Sequence, residues 1–147
     1  VEIDVEKLKR DWAGSTFDTV EFEIKPDDLR DFALACGETA AQFTEPGHPD
    51  FRAVPTFTAR YVGRRILPDD FPRFSSGYGF DAGKCVQALR PILPGDRITA
   101  RSKIHDVYTK TGRSGTMVFI VHRMEFSNQR GEPVSIVDWR MVQRAGA

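Results

Sequence analysis

Three runs of alternating polarity, Arg97–Tyr108, Thr116–Phe126 and Val134–Val142, follow one another with only short turns between them. In the first, Ile98, Ala100 and Ile104 stand against Arg97, Thr99, Arg101 and Lys103, the period-two pattern of a half-buried strand. Gly112-Arg113-Ser114-Gly115 breaks the first run from the second, and Asn128 to Glu132 turns between the second and third. Strands joined this closely form an antiparallel meander. Its apolar face needs a cover, and the first half of the chain has to supply it.

A short lead-in with weak helical character, residues 1–18, ends near Gly14. Val20, Phe22 and Ile24 then alternate with Glu21 and Glu23, a first strand. Pro26-Asp27-Asp28 opens a helix, since Pro suits the first helical position and acids suit the positive end of the dipole. Leu29, Phe32, Ala33 and Cys36 keep helical spacing, and Gly37 sits where a C-terminal cap belongs. Residues 44–53 read as a loop. Pro55 begins a second helix, predicted from Thr56 to about Leu67, whose apolar residues Phe57, Ala59, Tyr61, Val62 and Ile66 spread over a wide face and mark it as buried. Residues 68–79 are a long loop, Lys84–Leu89 a strand, and Pro91–Asp96 a sharp turn. Strand, helix, buried helix and then about four strands is α+β. An antiparallel sheet wrapped round a central helix, the hot-dog fold, fits this order, as do other α+β sandwiches.

The chain of 147 residues fits a single domain spanning 1–147, large enough to hide roughly 70% of its unfolded surface. Lys+Arg and Asp+Glu both number 21. That balance argues against a nucleic-acid partner and against a polybasic membrane anchor, while leaving room for a local basic patch. Eleven Phe suggest a broad apolar interior or an interface. Cys36 and Cys85 have no C-x-x-C spacing and read as reduced thiols. No apolar run approaches a membrane span, and the acidic Val1-Glu2-Ile3-Asp4 is no secretory signal. The expected location is cytoplasmic.

Several segments, in order, carry a resemblance. They are Gly14-Ser-Thr-Phe17, Cys36-Gly37-Glu38-Thr39, Ala53-Val54-Pro55-Thr56-Phe57, Arg90-Pro-Ile-Leu-Pro-Gly-Asp96, Asp106-Val-Tyr-Thr-Lys-Thr-Gly-Arg-Ser-Gly115 and Phe126-Ser-Asn-Gln-Arg-Gly-Glu132. Together, over about residues 12–144, they resemble the MaoC-like dehydratase and (R)-specific enoyl-CoA hydratase family, in particular its N-terminal-type domain. The resemblance implies a hot-dog fold, a dimer with a continuous sheet, and hydration of a trans-2-enoyl-CoA or the reverse dehydration. It implies a motif Gly-Asp-x-Asn-Pro-x-His whose Asp and His hold one water between them, with backbone N–H groups, one at the central helix start, stabilising the enolate oxygen. In this chain Gly37 matches the Gly and Glu38 stands for Asp. Ala40 and Ala41 replace Asn and Pro, and Phe43 replaces His. Phe cannot transfer a proton, and losing one member of such a pair removes roughly 10²–10⁴-fold of rate. In the family, degenerate halves pair with an active half and widen the pocket for bulky or long acyl groups, steroid side chains included.

The resemblance therefore implies an acyl-CoA-binding, non-catalytic subunit of a hydratase heteromer, its catalytic Asp and His supplied by a partner chain. Substrate-binding candidates are Gly37, Thr39, Pro55, Thr56 and Phe57. Arg60, Arg64 and Arg65, with Lys110 and Arg113, are candidates for the coenzyme A phosphates, against the plainer reading of solvated basic faces. Glu38 is a weak candidate acid, because a carboxylate at a helix C-terminus is electrostatically disfavoured. His48, five residues beyond Phe43, is a substitute base or simply a loop residue. His105 and His122 belong to cross-strand packing. The three His have no metal-ligand spacing, and no metal is expected; coenzyme A enters only as part of the substrate. Trp12, Phe17, Phe71, Phe74 and Tyr78 line an acyl tunnel or, more plainly, a core. Three alternatives compete: a self-sufficient homodimeric hydratase using Glu38, a hot-dog thioesterase, and an acyl-CoA-binding module. Residues 55–67 hold no Asp or Glu to serve a thioesterase as base or nucleophile.

Overall fold

Alternation decides the sheet. The computed structural model describes residues 3–74 and 79–145, and its strands are β1 (Thr16–Glu23), β2 (Phe80–Ala88), β3 (Arg97–Gly112), β4 (Gly115–Ser127) and β5 (Pro133–Arg144). They form one antiparallel sheet in the order β1-β3-β4-β5-β2. The meander expected from the sequence is its centre, with β1 and β2 at the edges. Ile98, Ala100 and Ile104 are all buried, as their spacing predicts. Each fully buried Ile contributes roughly 1.5–3 kcal/mol. The alternation slips once, at His105, where β3 carries an extra residue between Ile104 and Asp106. Ile104 and Val107 therefore share the inner face although three positions apart.

Helix α1 (Val5–Trp12) replaces the vague lead-in, its start capped by Asp4, which accepts from the Lys7 N–H. β1 begins at Thr16, earlier than Val20, because Gly14 turns the chain with φ +87°. Helix α2 (Pro26–Ala35) forms as its Pro-Asp-Asp start predicts and buries Leu29 and Ala33 against the sheet. It ends in a Schellman motif. Gly37, at φ +77°, donates to the Leu34 carbonyl, and Glu38 donates to that of Ala33. A short helix α3 (Ala41–Thr44) follows.

The predicted buried helix from Thr56 to Leu67 is not there. Only a 3₁₀ turn, Phe57–Arg60, forms, and Tyr61 is already extended at ψ 144°. The rest of that segment is a strap laid across the inner face of the sheet. In a helix the Arg65 N–H would donate to the Tyr61 carbonyl. Instead Arg65 and Arg64 donate their N–H groups to Asp18 Oδ2 on β1, at 3.1 and 2.8 Å. The Tyr61 and Ala59 carbonyls accept from Lys84 Nζ on β2, at 3.1 and 2.7 Å. Thr58 and Ser135 close a third clasp at 2.7 Å. Gly63 adds a local cost to helix of about 1 kcal/mol and sits at φ +74°. Side chains of the sheet thus take the backbone groups that a helix would pair within itself.

The strap divides the core. One apolar cluster, with Ile24, Leu29, Phe57, Met124 and Phe126, lies beneath α2. A second, with Leu8, Phe71, Ile104, Val107 and Ile120, lies beneath α1, and Trp12, Phe17 and Phe74 pack against it. Trp12 meets Phe71 edge-on at 5.5 Å, and Phe71 meets Phe74 at 6.2 Å. These rings close on one another as core. Tyr78, expected beside them, lies outside the described residues. No helix among the described residues is long and apolar enough to cross a membrane.

Candidate functional site

The loop after α2 and the entry to the strap meet at one cavity. It has a volume of about 300 Å³ and is lined by Phe43, Val54, Pro55, Leu89, Arg90 and Ile92, among others, which is at the small end of the range for small-molecule pockets. Phe43 stands in its wall, half-buried and packed against the first core cluster. The position expected to hold the proton-transferring His therefore presents a ring to the cavity. Of the expected substrate-binding residues, Pro55 is in the wall. Gly37, Thr39 and Thr56 are exposed outside it, and Phe57 is buried in the core. Arg52 and Arg90 also line the cavity. The sequence signal for Arg90 was its place at the head of the Pro91–Asp96 turn; that turn carries it to the mouth between β2 and β5.

Glu38 lies outside the cavity wall. Its Oε1 accepts the N–H groups of Ala40 and Thr39, at 3.0 and 2.9 Å, and these bonds hold the carboxyl below its ordinary range. Such a group stays ionised and supports the loop into α3. It has no proton to give near neutral pH. The His48 Nδ1 accepts the Asp50 N–H at 3.1 Å, so that nitrogen is engaged within its own loop.

The expected central-helix start is also different. One 3₁₀ turn has no developed dipole, and the Phe57 N–H is bonded to the Val54 carbonyl at 3.0 Å. Without a helix, Arg60, Arg64 and Arg65 share no face. Arg60 lies over the rings of Phe57 and Tyr61, at 5.3 and 5.6 Å. Arg64 donates to Asp18 Oδ1 and the Thr19 carbonyl, and Arg65 pairs with Asp69. Lys110 sits over the stacked Tyr108 and Phe119 rings, and Arg113 is at the hairpin tip beyond them. That tip and the cavity are at opposite ends of the 13-residue β4, about 40 Å apart along the strand at ~3.4 Å per residue.

Asp18 is the buried carboxylate of the strap. Burial alone would raise its pKa, but the Arg64 and Arg65 N–H groups and the Arg64 guanidinium outweigh that and lower it. Lys84, on the opposite edge, is lowered by burial. His122, 1% exposed, is pushed down to about 4, chiefly by burial and then by the nearby Lys84 charge. It packs across the strands as predicted, with the Phe17 and Trp139 rings at 5.4 and 6.2 Å. His105 is exposed.

A larger open groove, about 1290 Å³, crosses the other face of the sheet over Glu21, Thr99, Arg101 and Glu125. It holds none of the residues expected to carry chemistry, and the smaller cavity at Phe43 is the better candidate site.

A single antiparallel sheet with α2 and the strap on its inner face is the hot-dog fold, the fold shared with solved MaoC-like dehydratases. Residues 11–137 match the family described as FAS1-like, dehydratase domain region, and the chain belongs to that family. A UPF0336 protein of Streptomyces coelicolor is 28% identical over 141 residues, covering 86% of this chain and 88% of the relative. A MaoC-like dehydratase from Phytophthora capsici superimposes with a TM-score of 0.73 at 22% identity, over 99% of this chain and 52% of that one. The chain thus spans about half the length of the Phytophthora protein. The HadBC (3R-hydroxyacyl-ACP dehydratase) complex of Mycobacterium tuberculosis gives a TM-score of 0.63 at 20% identity, over 88% of this chain and 98% of its counterpart.

Proposed function

We propose that this chain is the non-catalytic, acyl-thioester-binding subunit of a MaoC-like hydratase or dehydratase heteromer, its catalytic Asp and His supplied by a partner chain. The observation that carries the reading is Phe43, which fills the expected His position in the wall of the candidate cavity. Glu38 is no substitute, because its carboxylate is committed to the backbone of its own loop. Phe43, Val54, Pro55, Leu89 and Ile92 give the cavity an apolar surface for an acyl chain, and the long or bulky group that the resemblance implies would extend beyond its about 300 Å³. Coenzyme A is the expected carrier; the resemblance in fold to HadBC, named as an ACP-dependent complex, makes the carrier protein the alternative. For the phosphates of the carrier, Arg60 is the candidate on the strap that is exposed and, among the described residues, in no ion pair, whereas Arg64 and Arg65 are paired with Asp18 and Asp69. A two-chain complex among similar folds, and a single chain of twice the length, both support a partner.

The purified chain is assayed alone for loss of trans-2-enoyl-CoA absorbance, then with a co-expressed MaoC-like chain that carries the intact motif. The expected result is acyl-CoA binding without turnover alone, and turnover in the complex that Glu38→Gln leaves unchanged. Turnover by the chain alone, abolished by Glu38→Gln, would establish the self-sufficient hydratase instead.

A further inference from the structure

Beneath the strap lie two buried polar side chains that no protein group satisfies. Among the described residues, Ser102 Oγ and both ring nitrogens of His122 have no hydrogen-bond partner. Each residue is 1% exposed. An unpartnered buried polar group destabilises the folded chain, and one residue with two such nitrogens beside another with a hydroxyl is an uncommon concentration of that cost.

Their placement is specific. Ser102 on β3 pairs with Met124 on β4, and Ile104 pairs with His122. Ser102 and His122 are therefore diagonal neighbours on the inner face. Side chains on such a diagonal stand roughly 7 Å apart at Cβ, a little less in close pairs. Ser102 Oγ and the His122 ring nitrogens make no direct bond with one another. A water making two hydrogen bonds of about 2.8 Å joins polar atoms up to about 5.6 Å apart. The strap covers the pair: a Cβ added to Gly63 would stand 3.4 Å from Ser102 Oγ and 3.0 Å from Asp18 Oδ2. Lys84 and Asp18 act electrostatically on His122 from the two sides. Ser102 pairs with Met124 of the first apolar cluster and His122 with Ile104 of the second, so the two polar groups stand where the clusters meet.

We infer that Ser102 and His122 together form an internal hydration site, in which one water bridges the Ser102 hydroxyl and a ring nitrogen of neutral His122. A neutral imidazole offers one donor and one acceptor, and a hydroxyl offers both. The water thus finds the two polar partners it needs. The seam between strap and sheet is wet at this point, while the clusters on either side stay dry.

The test uses the intact chain. A crystal structure fine enough to show ordered solvent should place one peak within hydrogen-bond distance of both Ser102 Oγ and a His122 nitrogen. In solution, a ¹⁵N-histidine spectrum should show a slowly exchanging His122 ring N–H with cross-relaxation to water. Ser102→Ala and His122→Phe should each lower the folding equilibrium constant by roughly tenfold, since each removes one anchor of the same water. The double variant should fall short of the product of the two. A dry site in the crystal, no cross-relaxation, or a Ser102→Ala chain more stable than the parent each overturns the inference. The crystal and the spectrum need only the parent chain, so they decide the matter even if a variant fails to fold. All these readouts concern stability and hydration, and stand apart from whether the chain binds an acyl thioester.

Discussion

Phe43 and Glu38, five residues apart, part from acid–base chemistry in different ways. Phe43 has no proton to move. Glu38 keeps its carboxylate but binds it to the N–H groups of Thr39 and Ala40. His122 shows the opposite case, a titratable group that no other protein group bonds among the described residues. Its pKa falls from 6.5 to about 4 on folding, so it stays neutral in the folded chain where the unfolded chain takes up a proton. The unfolded state then binds more protons between pH about 6.5 and 4, and stability falls as pH falls through that window. The expected loss is about 3 kcal/mol, complete near pH 4. Urea titrations across this window should show the loss in the parent chain and its absence in His122→Phe. Asp18 acts lower. Its pKa is depressed, so its contribution is full above the ordinary carboxylate value of about 3.9 and is lost as pH falls through the folded value.

Among elements, the strap is where sequence and structure part. The apolar spread of Phe57, Tyr61, Val62 and Ile66 reads as a helix face, and Phe57 is indeed buried. Val62 and Ile66, 42% and 45% exposed, are not. The deciding partners are Asp18 and Lys84, tens of residues away in sequence and brought near only by the sheet. No local pattern could reveal them. Helix α2, by contrast, was legible because its start and its Schellman end are both written within its own residues. The strap's dependence on these clasps is testable. Asp18→Asn and Lys84→Met should each speed hydrogen exchange of the Arg64 and Arg65 amides, with little change in β4. Gly63→Ala should cost roughly 1–2 kcal/mol, the penalty of a left-handed conformation for a residue with a Cβ, and more if Asp18 cannot move aside. A denaturation midpoint that Gly63→Ala leaves in place would mean that the strap tolerates another path.

At the scale of the whole molecule, the sheet was readable and the site only half so. Period-two alternation located the three central strands, and burial of one face confirmed it. The cavity was reached through the resemblance, since Phe43 and Pro55 are twelve residues apart and share no periodic face. Arg52 carried no signal of its own, and Arg90 was marked only by its place at the head of the Pro91–Asp96 turn. Under the proposed function the chain is one half of a working unit, which has a thermodynamic signature. Adding the catalytic partner should raise the unfolding midpoint of this chain by an amount that grows with partner concentration, because association stabilises only the folded form. A midpoint indifferent to every chain bearing the intact motif would count against the heteromer.

A helix is an agreement among a dozen neighbours, and each one that dissents weakens it. The strap rests on a few distant contracts, at Asp18, Lys84 and Ser135, with Gly63 setting the bend. Inheritance should treat the two differently. Letters at exposed stations such as Val62 and Ile66 are free to drift over generations, whereas a single codon change on an edge strand can undo a segment whose own text is untouched.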